Sequence, residues 1–382
     1  MSGSTLELTE TDEAGNVTAT YIQTSTVKRN VTRIDRIIPE NSQKPLKALL
    51  DVFLPAGYPE SVTEDYLPYQ IYADIFNDAA MVLDCLSPAF PKPMRVLILA
   101  SGSVLRSLCG VAAGSSKASL SAHFARWGNL GELNAKDSSQ ETVISLVGML
   151  VGCLVVKVVI TPLATWTTLL LLLTLHLATN YMAVRSVCMR TLNRQRANIV
   201  FACLHKHNRI LNPKEVSAKE RVFERDGILR DVDDNCLGYA RIGIPASELL
   251  QRLGETEKLT KATNLPDGRL LQLLDVFEDE GYVLYLEQPS DMVCILLKKG
   301  SDTAVQLKAW YHALLLARLV RQGYESEKKP MDMVQSTLVA VRKDWERVQA
   351  RLGEAGWDLD TAALETTSGF RVSILIIGDQ DR

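Results

Sequence analysis

Residues 143–184 read VISLVGMLVGCLVVKVVITPLATWTTLLLLLTLHLATNYMAV. Only Lys157 carries a formal charge in the stretch, and Thr161-Pro162 breaks it near the middle. The second part, residues 163–184, makes a helix of about 33 Å at 1.5 Å per residue, enough to cross a hydrocarbon layer of about 30 Å. Trp166 and Tyr181 lie near its two ends, where aromatic rings favour the lipid–water boundary. The first part is shorter, and Lys157 lies close enough to its end to extend its amine toward water. Together they predict a membrane-embedded helical hairpin.

Basic residues follow at once. Arg185, Arg190, Arg194, Arg196, Lys206, Arg209 and Lys214 occur with no Asp or Glu between 185 and 214. The connecting turn is uncharged, so both outer ends of the hairpin are expected on the cytosolic or equivalent side. Upstream, residues 94–125 form a helical stretch rich in Gly, Ala and Ser, and its 94–112 portion is a third membrane candidate despite Arg95 and Arg106. Gly110 and Gly114 in that stretch, and Gly148 and Gly152 in the hairpin, lie one turn apart and predict close helix packing. Residues 73–87 carry apolar residues at helical spacing, ended by Pro88, Pro91 and Pro93. Leu46–Phe53 reads as a short helix, and the Pro/Gly/Tyr-rich stretch from Leu54 to Tyr72 as turns.

Beyond about 213 the charges interleave as on a water-exposed surface. Helices are expected at 270–278, 303–322 and 331–352. Tyr282–Glu287 and Met292–Leu297 read as a β-hairpin, and Phe370–Ile377 as a final strand. At the other end, residues 1–20 read as disordered and 21–36 as a short strand or hairpin. The expected organisation is therefore 1–45 as an N-terminal region, 46–212 as a helical core with the hairpin, and 213–382 as a small soluble α+β domain. The fold class is mainly α, with a helical membrane-associated core.

The 382 residues are 47% hydrophobic and 23% charged, with a net charge of -3. A mean hydropathy of +0.03 confines any membrane part to a local segment. The charge balance gives no footprint of a nucleic-acid binder. Seven cysteines occur without a C-x-x-C pair, and His205 and His207 are wrongly spaced for a helix-face metal site, so no metal is expected. Met1–Asn30 is polar and Thr-rich and lacks the apolar core of a secretory signal. P-loop, G-x-S-x-G and H-E-x-x-H patterns are absent, and neither Lys117 nor Lys136 has the phosphate cradle that pyridoxal phosphate chemistry needs. No cofactor and no catalytic residue is expected.

Four residues are candidate ligand contacts. Lys136, Gln140 and Glu141 precede an apolar helix and would form a polar cluster at a membrane mouth; the competing reading is a helix cap, with Ser138 or Ser139 at the cap and Glu141 in the first turn. His123 on the small-residue helix is read either as a packing residue or as a ligand contact. His176 within the second apolar segment is read as a hydrogen bond between helices.

Phe53–Tyr72 (FLPAGYPESVTEDYLPYQIY), Ala73–Pro91 (ADIFNDAAMVLDCLSPAFP), the block Gly110–Met149 with its run SSQET, the segment LLLLLTLHLATNYMAVRSV and the late LGEAGWDLDTAAL resemble, in order, the motifs of the ROOT UV-B SENSITIVE proteins. The likeness covers about 50–375. It departs in one place: a Gly-rich apolar segment of several tens of residues that normally separates the motif ending at Tyr72 from the helix beginning at Ala73 is missing. The resemblance implies a role in vitamin B6 homeostasis or UV-B stress response, with no catalytic residues to carry over. The expected function is a non-enzymatic membrane protein of an intracellular organelle, contacting lipid and acting as a scaffold for a protein partner through the C-terminal domain. The alternative is a small-molecule carrier of vitamer type.

Overall fold

The computed structural model describes residues 5–12, 15–24, 31–38, 66–125, 128–222, 224–256, 262–266, 268–288, 290–322, 329–365 and 369–377. The helix expected at Leu46–Phe53 and the turns up to residue 65 lie outside these. Two compact units divide the chain: Val62–Met189 with Arg221–Phe223, and Met1–Ser61, Arg190–Glu220 with Glu224–Arg382.

The first unit is helical. Helix α1 (Tyr66–Leu86) is followed by a 3-10 turn at Ser87–Ala89, α2 (Lys92–Phe124), α3 (Leu130–Val158) and α4 (Pro162–Ser186). Prolines set two of the starts: Pro93 lies in the first turn of α2, and Pro162 opens α4, where its missing N–H costs nothing. Thr161 caps α4 by accepting from the Ala164 amide at 3.2 Å. Two expectations need correcting. Helix α1 starts at Tyr66, so residues 66–72 are helical rather than turns, and the helix runs unbroken through the Tyr72–Ala73 junction. Helix α3 starts at Leu130 rather than near 143, so Ser138 and Ser139 are not caps. The polar lead is itself helical: Glu132 and Lys136 pair one turn apart, and the Ser139 and Thr142 hydroxyls donate to carbonyls four residues back.

The second unit is built on a mixed sheet, ten-stranded among the described residues, in the order β4-β5-β9-β10-β1-β2-β3-β7-β6, with β8 on β9. Its strands are β1 (Thr5–Thr11), β2 (Val17–Thr24), β3 (Val31–Ile37), β4 (Ile228–Arg230), β5 (Cys236–Ile242), β6 (Glu255–Thr256), β7 (Thr263–Pro266), β8 (Tyr282–Glu287), β9 (Met292–Lys298) and β10 (Arg371–Ile377). Helices α5 (Arg194–His207), α6 (Pro213–Ser217), α7 (Ala246–Leu253), α8 (Arg269–Val276), α9 (Thr303–Arg321) and α10 (Pro330–Glu354) complete it. The expected hairpin forms, with Glu287 opposite Met292.

Disorder expected over residues 1–20 is corrected for the described part: β1 and the start of β2 lie there, and β1 pairs antiparallel with β10 from Thr5–Ile377 to Thr11–Arg371. The period-two pattern explains it. Leu6 and Leu8 alternate with polar residues and enter the same core as Ala19, Tyr21 and Ile34. Buried Glu10 accepts from the Ala246 amide at 2.6 Å and from the Thr18 hydroxyl at 2.9 Å.

The units part at Met189/Arg190, ahead of the boundary expected at 212/213, because α5 is a core helix of the sheet unit. Ala197, Val200, Phe201 and Leu204 on it join the main apolar cluster. Much of the basic flank is consequently structural. Arg196 is only 1% exposed, donating to Glu220 at 2.7 Å and to the Thr191 carbonyl at 2.8 Å. Arg194, Lys206 and Arg209 pair with Asp226, Asp233 and Glu215. The late Gly-Trp motif has a packing role: Gly356 adopts φ +91, and Trp357 is buried with its indole N–H on the Leu211 carbonyl at 2.8 Å.

Candidate functional site

Helix α1 carries a polar stripe on a largely apolar body. Gln70, Asp74 and Asp78 are spaced four apart and share one face. Asp74 and Asp78 are buried. From α4, His176 Nδ1 meets the Asp78 carboxylate at 3.0 and 3.2 Å, and the Asn180 amide lies 2.9 Å from His176 Nε2. With Asn180 donating to Nε2, the ring proton sits on Nδ1 and points at Asp78. From α2, the Ser116 hydroxyl donates to Gln70 at 2.9 Å. Gln70 and Asn180 also hydrogen-bond Asp74, whose Oδ2 is nonetheless buried without a partner. An unsatisfied carboxylate oxygen away from water is costly and marks the centre of the site.

The surroundings bring the three helices together there. Gly102 lets α2 approach α1: a Cβ would meet Asp84 at 3.4 Å and the Ala80 carbonyl at 3.7 Å. Gly102, Ala112, Ser116 and Ser119 are the buried positions of α2. Both arginines on α2 have partners, Arg106 on Asp84 and Arg95 on the carbonyls of Ser87, Pro88 and Phe90.

The expected site residues are arranged differently. Lys136 pairs with Glu132, whereas Glu141 turns toward α2 and takes Lys117 at 2.9 Å. Gln140 is exposed one turn from Lys136. His123 is at the end of α2, edge-on to Phe124 at 4.9 Å. These four do not converge, because positions 136 and 141 differ by about 140° around a helix of 3.6 residues per turn. A Cβ at Gly110, Gly114, Gly148 or Gly152 would meet nothing within 4 Å, so among the described residues no helix packs on them. The packing face of α2 instead follows 112, 116 and 119, roughly opposite Gly110 and Gly114. His176 does bond between helices, as expected. Asp74, Asp78 and Gln70 were missed; acidic residues one turn apart in an apolar helix are the signal that points to them.

Helices α2, α3 and α4 are long and apolar enough to cross a membrane by length and composition. Ile144 is 70% exposed, Val156 72% and Val158 81%, values foreign to the core helices of a water-soluble domain. No group of three or more His, Cys, Asp or Glu able to hold a metal ion occurs among the described residues.

The chain matches the vitamin B6 photo-protection and homoeostasis domain over residues 39–73 and 69–208, and the root UVB sensitive C-terminal domain over 209–372. It belongs to the root UVB sensitive family. The first family match breaks at 69–73, where the resemblance placed the missing segment. The chain is 32% identical over 260 residues to protein root UVB sensitive 3 of Arabidopsis thaliana, covering 67% of this chain and 56% of that one. It is 38% identical over 155 residues to RUS family member 1 of Dictyostelium discoideum, covering 40% and 29%. The chain thus spans about half the length, or less, of these relatives in the root UVB sensitive family. No solved structure matches it.

Proposed function

We propose that this chain is a membrane-embedded protein acting in vitamin B6 homeostasis or the UV-B response, and that it does so by holding a small polar solute among its helices. The observation that carries the reading is the pair of buried carboxylates, Asp74 and Asp78, with half-buried His176 and Asn180 hydrogen-bonded to them, in a unit with long exposed apolar faces. Apolar side chains fully exposed to water forgo about 1.5–3 kcal/mol each, so such faces favour lipid. Ionisable residues within a lipid-facing bundle are expensive and are kept where a path or a ligand needs them. The reading assigns binding and passage, not chemical turnover, and places the protein in an organelle membrane with lipid as its neighbour.

The test is reconstitution of the full chain in vesicles. Alkaline carbonate should leave it in the membrane, and uptake of pyridoxal-type vitamers should exceed that of empty vesicles and fall on His176→Phe. Extraction by carbonate would remove the membrane reading, and absence of flux would remove the carrier reading.

Scaffolding through the sheet unit is the second reading. It is favoured by a groove of about 880 Å³ beside α8 and β10, lined by Leu271, Gln272, Lys299 and Ile374. A photo-crosslinker at Gln272 of the full chain should then trap a protein partner, and its failure to do so in cells would count against this role.

A further inference from the structure

A cavity of about 140 Å³ in the sheet unit is left unused by the proposed function. It lies between the end of α5, the β4–β5 turn and the last turns of α9. Most charges lining it are already matched. Lys206 is paired with Asp233. Glu224 holds Arg230 through both carboxylate oxygens, at 2.9 and 3.0 Å. Asp231 accepts from the Asn235 amide at 2.8 Å and its side chain at 3.0 Å.

Two groups stand apart. Arg318 lines the cavity and forms no ion pair among the described residues. His205 Nε2 is buried with no hydrogen-bond partner, while its ring is stacked on Tyr311 at 4.7 Å and so held in place. Burial, with the Arg318 charge second, lowers the His205 pKa to about 4, which keeps the ring neutral near pH 7. The guanidinium, without an ion partner, calls for an anionic acceptor, and the fixed neutral imidazole that lines the same cavity supplies an N–H in its Nε2-protonated tautomer.

We propose that this cavity binds a small oxyanion, either free or as the terminal group of a larger molecule, with Arg318 supplying the charge and His205 Nε2–H a second hydrogen bond. The size agrees. The space exceeds what one water needs and falls short of the roughly 300–1,000 Å³ of sites for drug-sized molecules. Planar, forked Arg318 suits carboxylate or phosphate oxygens better than a spherical halide.

The test uses the full chain in detergent, at constant ionic strength set with chloride. Inorganic phosphate, acetate and phenyl phosphate serve as probes, with binding read by calorimetry. One probe or more should bind saturably at one site per chain. Arg318→Gln should weaken it by about tenfold or more and His205→Phe by about fivefold, whereas Arg321→Gln, outside the cavity, should leave it unchanged. Tighter binding of phenyl phosphate than of phosphate would assign the group to a larger molecule, and the reverse to a free ion. Should Arg318→Gln not fold, Arg318→Lys keeps the charge and loses the fork, and binding should still weaken. No saturable binding of any probe at millimolar concentration, or binding indifferent to Arg318 in a folded variant, overturns the proposal.

Discussion

Acidification should destabilise the sheet unit through two histidines, half-buried His205 and fully buried His312, and His312 allows the effect to be isolated. His312 is fully buried between Tyr282 and Thr337. The Thr337 hydroxyl donates to the carbonyls of Met333 and Val334, so its oxygen accepts from His312 Nε2–H at 2.8 Å. Nδ1 is then the acceptor for the Tyr282 hydroxyl at 3.0 Å. A second proton on the ring would face that hydroxyl without a carboxylate to pair with. Burial therefore lowers the His312 pKa to about 3, and that of His205 to about 4.

The native state binds these protons less well than the unfolded chain, whose histidines titrate near 6.5. Stability is accordingly complete above about pH 6.5 and is lost as the pH falls toward the native values. Between about pH 7 and pH 4.5 the loss is about 2.5 kcal/mol for each histidine. It depends weakly on the native value for His312, since at pH 4.5 that ring is still neutral in the folded state. Urea unfolding of the full chain in detergent, followed by tryptophan fluorescence from buried Trp310 and Trp357, measures it. His312→Gln should be less stable at pH 7, having left Tyr282 and Thr337 poorly matched, yet should lose about 2.5 kcal/mol less on acidification. Curves that run parallel for the two proteins would refute the assignment.

Arg196→Met should cost about 3–5 kcal/mol in the same urea assay, and adding Glu220→Leu should restore most of it, because the single change strands a buried carboxylate; a silent single variant would return Arg196 to the role of a topology signal. Trp357→Phe should cost about 1–3 kcal/mol by leaving the Leu211 carbonyl unpaired, read as a shift in urea midpoint. Gly148→Leu should leave the thermal midpoint in detergent unchanged, since nothing lies near it, whereas Gly102→Leu should lower it by forcing α2 off Asp84 and the Ala80 carbonyl. Equal midpoints for the two would contradict the packing described for α1 and α2.

Most helices and strands past residue 269 were legible because each repeats one period cleanly. Tyr282–Glu287 and Met292–Lys298 are apolar runs bounded by turn residues, and Thr303–Arg321 and Pro330–Glu354 keep the helical spacing over several turns. Strands β1 and β2 were hidden by their Thr and Glu content: β2 pairs locally with β1 and β3, but β10, the other partner of β1, is some 360 residues away, and no local pattern announces such a pairing. The polar start of α3 was hidden for a related reason, because its hydroxyls bond back along the helix instead of capping it. The site residues were misread because charged residues adjacent in sequence point around a helix in different directions. Lys136 and Glu141 diverge, while Asp78 and His176, 98 positions apart, meet.

The family match breaks within α1, at 69–73, yet the helix does not. Position 72 is followed directly by position 73 within a single continuous helix, so the join sets the angular phase between Gln70 and the two aspartates. Each added residue would turn the upstream half by about 100°, and a loop there would detach it altogether. Either change would take Gln70 away from the Ser116 hydroxyl and the Asp74 carboxylate. Inserting a single residue at this join would therefore uncouple the Gln70 contacts from the aspartates without touching either aspartate.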